Sequence, residues 1–200
     1  MRTDTIPARA SIRRVYGTRS LVVAGATTLG SAALLVLMFM RLLQAGGAVA
    51  TAPTSPVIGH RAPDFTITSW NGTPGQQIHL AAFAGRPVVV NFWGSWCAEC
   101  VEEQPVVNAA WQHYQAQGVQ FIGIAYNDIA DNGTAYLKQY GVTYPAGPAS
   151  SDSVAVDYSV TGAPETVFIG RNGVVVNKII GPLDDRTLDR EIQAILKSGG

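Results

Sequence analysis

The sequence predicts an α/β fold, a central mixed β-sheet with helices on both faces. Three observations carry this. Two continuous apolar runs, Pro87–Trp93 (PVVVNFW) and Val119–Tyr126 (VQFIGIAY), have strand length and lack polar alternation, as strands buried on both faces do. The stretch between them, Cys97–Gln117, has helical content. Near the C-terminus, two strand-like runs flank Arg171-Asn172-Gly173 and are followed by a helical pattern.

The elements follow in order. Phe65–Thr68 and Gln77–Leu80 flank Asn71-Gly72 and read as an N-terminal hairpin. Pro87–Trp93 is the first buried strand. The helix from Cys97 carries Pro105 inside it as an expected kink, and Gly118 ends it. Val119–Tyr126 is the second buried strand. Asp131 is the expected cap of a helix running through Tyr140 and closed by Gly141. Ser151 opens a short helix through Tyr158. Thr166–Ile169 and Val174–Ile180 pair across the Asn-Gly turn. Asp184 or Asp185 caps a last helix to Lys197, with Leu188, Ile192, Ile195 and Leu196 on its apolar face.

Composition narrows the function classes. The chain has 200 residues, 47 % apolar and 14 % charged, which is room for one domain plus something small and excludes wholesale disorder. Two cysteines exclude a disulfide-dense scaffold. The net charge of zero hides a split. Residues 1–52 hold six arginines against Asp4, a net of +5, while residues 53–200 carry −5. No basic nucleic-acid surface is expected on such a body.

A hydrophobic run separates the two parts. Ser20–Met40 is 21 residues without charge or proline, long enough to span a bilayer as a helix. Five arginines precede it, so the N-terminus is expected in the cytoplasm and the body outside. The expected organisation is a cytoplasmic basic segment at 1–19, a transmembrane signal-anchor at 20–43, a linker at 44–58 rich in Ala, Gly, Thr, Ser and Pro, and a folded domain at 59–200. A cleaved signal peptide ending at Ala48-Val49-Ala50 competes with the anchor. The length of the run and the intervening Arg41 favour the anchor. Arg13-Arg14 is explained by positive-inside anchoring without a twin-arginine signal.

Both cysteines lie in Trp96-Cys97-Ala98-Glu99-Cys100, after a buried strand and at the start of a helix. The unpaired N–H groups of a helix N-terminus favour an anion there and lower the pKa of Cys97. Cys100, one turn on, is placed to attack a mixed disulfide formed on Cys97. Cys97 is therefore the expected nucleophile and Cys100 the resolving thiol. A zinc site lacks two further ligands at suitable spacing, since His60, His79 and His113 are scattered. A purely structural disulfide closing so short a loop would stabilise little. No cofactor is expected beyond the Cys97–Cys100 couple itself.

Three stretches resemble a known family. Val90–Cys100 (VNFWGSWCAEC), with Glu103 and Pro105 following, resembles the active-site stretch of the TlpA/ResA/DsbE group of membrane-anchored thioredoxin-like proteins. Gly59–Phe65 (GHRAPDF) is similar to that group's entry segment. Gly162-Ala163-Pro164-Glu165-Thr166 resembles the loop that carries the cis-proline of the thioredoxin fold. Glu165 after the proline, with Gly123–Tyr126, Tyr136-Leu137 and Tyr144-Pro145, is most similar to the DsbE (CcmG) branch. The resemblance implies a thioredoxin-like fold and an extracytoplasmic thiol–disulfide oxidoreductase. Its implied clients are proteins such as apocytochrome c, reduced at the haem-binding Cys-x-x-Cys-His. It also implies a membrane electron donor for re-reduction. A monomer is expected.

The residues refine the mechanism. Glu99, Glu102 and Glu103 crowd the dithiol, and a negative field there opposes a thiolate at Cys97. A less stabilised thiolate makes the couple more reducing. Glu103 is the expected acid/base for the thiols, while Glu102 is a solvated face. Asn91 sits where ordinary thioredoxins carry a buried aspartate and cannot titrate. Pro164 is expected to lie against the cysteines, leaving the Ala163 N–H and C=O free to pair with an extended client. Trp96, Ala163 and Glu165 are the expected substrate contacts, and Trp93 is core. Two other functions remain open: a disulfide-forming oxidase, and a copper(I)-binding module using both thiols. A peroxidase is disfavoured, since Gly94 stands where its Pro-x₃-Thr-x₂-Cys pattern has Thr.

Overall fold

The computed structural model describes residues 36, 38–40, 55–73 and 75–199. The expected cytoplasmic segment, nearly all of the anchor and most of the linker lie outside the described residues. Among the described residues no helix is long and apolar enough to cross a membrane.

The hairpin forms as expected. β1 (Thr66–Thr68) and β2 (Gln77–His79) pair antiparallel, with Ile67 opposite Ile78. A 3₁₀ turn, Leu80–Phe83, leads to the main sheet. That sheet has β3 (Val88–Trp93), β4 (Gln120–Ala125), β5 (Ala146–Pro148), β6 (Glu165–Ile169) and β7 (Val175–Ile180), in the order β5-β4-β3-β6-β7. β3, β4 and β5 are parallel; β6 is antiparallel to both β3 and β7. The helices are α1 (Ala98–Tyr114), α2 (Ala130–Gln139), α3 (Ser153–Asp157) and α4 (Asp185–Lys197).

β3 explains why its sequence is apolar throughout: it is the central strand and every residue is buried. Its side chains alternate between two cores. Val89 and Trp93 join Val107 of α1, Tyr136 and Leu137 of α2, and Leu188, Ile192 and Ile195 of α4. Val88, Val90 and Phe92 join Ile67 of the hairpin, with Val154 and Tyr158 at α3. Burying both faces of one strand anchors the segment that follows Trp93, where the cysteines begin.

The helix ends at Gly118 and Asp184 match expectation, and other boundaries differ. α1 runs through Pro105 without interruption and ends in a 3₁₀ turn at Gln115–Gln117, before Gly118 at φ +85°. α2 starts at Ala130, and Asp131 lies inside its first turn instead of capping it. Asp128 meanwhile accepts from the Ile129 N–H (2.8 Å). α3 is only five residues long; the Ser151 hydroxyl accepts from the Ser153 N–H (3.2 Å) ahead of it. Asp184 is the cap of α4, accepting from the Thr187 N–H (2.7 Å).

β5 was not legible in the sequence, because Ala-Gly-Pro has no strand propensity. It forms because β4 supplies parallel hydrogen bonds and the hairpin closes on it: Trp70 N–H donates to Ala146 O (2.8 Å) and Ser150 N–H to Thr66 O (2.8 Å). Gly147 is required at that crossing. A Cβ there would lie 2.0 Å from the Thr68 carbonyl oxygen and 3.1 Å from Trp70 N. Backbone cannot give way as a side-chain tip can, so Gly147→Ala should destabilise the domain by about 3 kcal/mol, the upper end of ordinary overpacking. Urea unfolding measures this, as a lowered midpoint at an unchanged slope.

Candidate active site

The end of β3 delivers the chain to the dithiol. Tyr126 N–H bonds to Trp93 O (2.8 Å), continuing the β3–β4 ladder past its last pair. Asp128, on the β4–α2 loop, accepts from the Ser95 N–H (2.5 Å) and the Ser95 hydroxyl (2.8 Å). The Trp96 indole N–H donates to Asn127 O (3.1 Å) with the ring 55 % exposed. Ser95 and Trp96 are thus pinned to β4's loop, and Cys97 follows at the N-cap of α1. Trp96 occupies the surface position expected of a contact residue, and Trp93 is buried as expected of core.

Cys97 and Cys100 are joined in a disulfide, with Cα atoms 5.2 Å apart. The Cys100 N–H donates to Cys97 Sγ at 3.0 Å, so the first sulfur sits on a free helix N–H, the partner that also stabilises a thiolate. Cys100 is the deeper residue, 1 % exposed against 4 % for Cys97. Its carbonyl is held by the Tyr136 hydroxyl (3.0 Å).

Glu103 lies one helical turn beyond Cys100 and is 3 % exposed. The Asn91 amide donates to its Oε1 (2.9 Å) and the Leu183 N–H to its Oε2 (2.9 Å). Asn91 also donates to Thr166 Oγ1 (3.0 Å), which ties β3 and β6 to the acid. Burial pushes the Glu103 carboxyl above its ordinary value, and the charge of Glu99 adds to this; the Leu183 and Asn91 donors only partly oppose it. A carboxyl raised in this way holds its proton to higher pH than an ordinary glutamate, which suits a group that exchanges protons with thiols. Glu102 is exposed, as expected of a solvated face, and so is Glu99.

The Ala163–Pro164 peptide bond is cis. Ala163 packs against the core cluster that contains Cys97 and Cys100. Among the described residues nothing bonds to the Ala163 N–H or C=O, whereas Pro164 O accepts from Gly181 N–H (2.9 Å). Glu165 differs from expectation. It is not a surface contact but is buried in β6, where Oε1 accepts from Thr161 and Gly162 and Oε2 faces Lys178. Its carboxylate is turned inward toward Lys178 of β7, 2.6 Å away. Lys178 is the residue that sequence reasoning missed. The signal was a lone lysine in the apolar row Val174, Val176, Ile180.

Among the described residues no group of three His, Cys, Asp or Glu side chains is placed to hold a metal ion. The site is therefore a dithiol, a buried carboxyl within one helical turn, and a free backbone edge packed on the same core. That arrangement performs thiol–disulfide exchange.

Comparison with known proteins agrees. Residues 58–178 match the model of the AhpC/TSA family. The chain belongs to that family, in its TlpA/ResA/DsbE group. It is 30 % identical over 145 residues to the thiol-disulfide oxidoreductase ResA of Geobacillus kaustophilus, covering 72 % of this chain and 82 % of that protein. It is 32 % identical over 144 residues to the thiol:disulfide interchange protein DsbE of Allochromatium vinosum, covering 71 % and 77 %. A thioredoxin-family thiol:disulfide interchange protein from Chlorobium tepidum superposes with a TM-score of 0.62 at 27 % identity, covering 68 % of this chain and 95 % of that one. This ResA/DsbE-type protein is a thiol–disulfide oxidoreductase with a thioredoxin-like fold, and its redox centre is Cys97–Cys100.

Proposed function

We propose that this oxidoreductase is a reductant of specific exported clients, with the haem-binding cysteine pair of apocytochrome c as the model client. The observation that carries the reading is Glu103, a buried carboxyl one turn beyond the resolving thiol, with Glu99 adding negative charge in the same helix turn. Both act against an unusually stable Cys97 thiolate, and a less stable thiolate means a more reducing couple. The relatives, named a thiol-disulfide oxidoreductase and a thiol:disulfide interchange protein, support the exchange chemistry on which this reading builds.

In the reduced protein, Cys97 thiolate attacks one sulfur of the client disulfide. A Cys97–client disulfide forms, the client's S–S bond breaks, and its other sulfur leaves as a thiolate that takes a proton. Glu103 accepts the proton of Cys100, whose sulfur then attacks Cys97 Sγ and expels the client's second thiolate. Two electrons pass to the client. The protein is left as the Cys97–Cys100 disulfide, and a membrane electron donor restores the dithiol. In this reading the 20–43 segment anchors the protein with its N-terminus in the cytoplasm and its domain outside, where client cysteines become oxidised.

The reduction potential of the full chain tests the proposal. A value close to that of thioredoxin, about −270 mV, is expected; a value near the roughly −120 mV of a strong oxidase would overturn it in favour of disulfide formation.

A further inference from the structure

We propose that Lys178 is a positioning residue for client recognition: through Glu165 and two backbone carbonyls it holds the 158–163 loop so that the free Ala163 edge meets an extended client. This rests on the proposed pairing of clients with that edge.

The contacts form one continuous clamp. The Lys178 ammonium bonds to Tyr158 O (3.0 Å), Ser159 O (2.7 Å) and Glu165 Oε2 (2.6 Å). Those three acceptors use all three of its donors. Glu165 Oε1 in turn accepts from Thr161 N–H (2.8 Å), Thr161 Oγ1 (2.7 Å) and Gly162 N–H (3.1 Å). One ion pair therefore ties down four of the five residues preceding Ala163. The loop needs such support. Ser159 has φ +54°, a region uncommon for a non-glycine residue, which persists where surrounding contacts hold it.

Both side chains of the pair are 1 % exposed. Lysine is almost never that buried unless paired. A buried pair is a poor source of stability, since well-packed apolar residues often do as well or better. Its geometry instead specifies where a loop lies. Burial alone would push the Glu165 carboxyl up; the Lys178 and Thr161 donors hold it below its ordinary value, so Glu165 remains a carboxylate at neutral pH. Lys178 belongs to β7, which pairs with β6 (Lys178 opposite Val167), so the clamp is fixed to the sheet rather than to another loop.

The test uses the full-length protein and two substrates. One is a peptide carrying an oxidised Cys-Ala-Ala-Cys-His; the other is bis(2-hydroxyethyl) disulfide, a linear disulfide too small to use a backbone edge, each reduced by the dithiol form of the protein. Lys178→Met should raise KM for the peptide about tenfold, the scale of one backbone hydrogen bond lost, with kcat and exchange with the small disulfide unchanged. The double variant Glu165→Gln/Lys178→Met leaves no buried charge unpaired and should show the same KM shift if the single variant fails to fold. An unchanged peptide KM, or equal losses on both substrates, overturns the proposal. The same peptide N-methylated at the residue before its first cysteine separates the two readings. If N-methylation leaves KM unchanged for the unsubstituted protein, the edge-pairing reading fails. If it raises KM while Lys178→Met does not, only the role of Lys178 fails.

Discussion

Replacing Cys100 with serine should turn this oxidoreductase into a trap. Turnover should fall by about a thousandfold or more, because removing a group that completes the covalent cycle removes catalysis itself. The mixed disulfide on Cys97 should accumulate, since no second sulfur remains to expel the client. The geometry sets the asymmetry. Cys97 is the helix N-cap and receives the Cys100 N–H, whereas Cys100 sits deeper, under the Tyr136 hydroxyl. Cys97→Ser should therefore lose turnover equally but trap nothing. Non-reducing electrophoresis of extracts from cells expressing each variant distinguishes them. Trapping by Cys97→Ser and not by Cys100→Ser would reverse the assignment of nucleophile and resolving thiol, and equal trapping by both would abolish it. Recovery of an apocytochrome on Cys100→Ser would support the proposed client, and recovery of many unrelated secreted proteins would favour an oxidase.

The second large effect belongs to Glu103. Glu103→Gln should slow the resolving step about a hundredfold, the lower range for loss of a positioned acid/base. It should also remove a limb from the pH dependence of exchange. The fold should survive, because the Asn91 amide can turn its oxygen toward the new amide and accept from Thr166 instead. Stability changes in a defined direction. Burial raises the folded-state pKa of Glu103 above its ordinary 4.5. Between those two values the folded protein holds a proton that the unfolded chain has released. Stability therefore falls as pH rises through that window. The unsubstituted protein should lose melting temperature there, and Glu103→Gln should lose less. Identical pH profiles of melting and exchange in the two proteins would remove Glu103 from the mechanism.

These two expectations differ in how far the chain alone supports them. The role of the cysteines needed only local information. A buried strand followed by Cys-x-x-Cys and a helix implies a nucleophile at the helix start and a partner one turn on. Glu103 could be named from its spacing, but its burial could not. That burial comes from Asn91 on the central strand and from the Leu183 N–H, eighty residues away. Glu165 shows the limit more sharply. Its place after Pro164 suggested a client contact, and it is instead closed against Lys178 by the pairing of β6 with β7.

The sequence by itself determined the elements whose signal is local. These include the two apolar strands, the Asn-Gly turn with Gly173 at φ +74°, a helix cap at Asp184 or Asp185, of which the structure uses Asp184, and the dithiol. Apolar runs, turn residues and caps act within a few residues, so they are readable in one dimension. It also showed that zero net charge is a cancellation between a +5 N-terminal segment and a −5 body. Only the tertiary structure decided what depends on contacts distant in the chain. β5 exists because β4 and the hairpin offer partners to an Ala-Gly-Pro segment without propensity of its own. Asp128 holds Ser95 and Glu165 faces inward for the same reason: a buried or turn-forming polar group must find a partner, and which partner is near is settled by how the sheet is ordered.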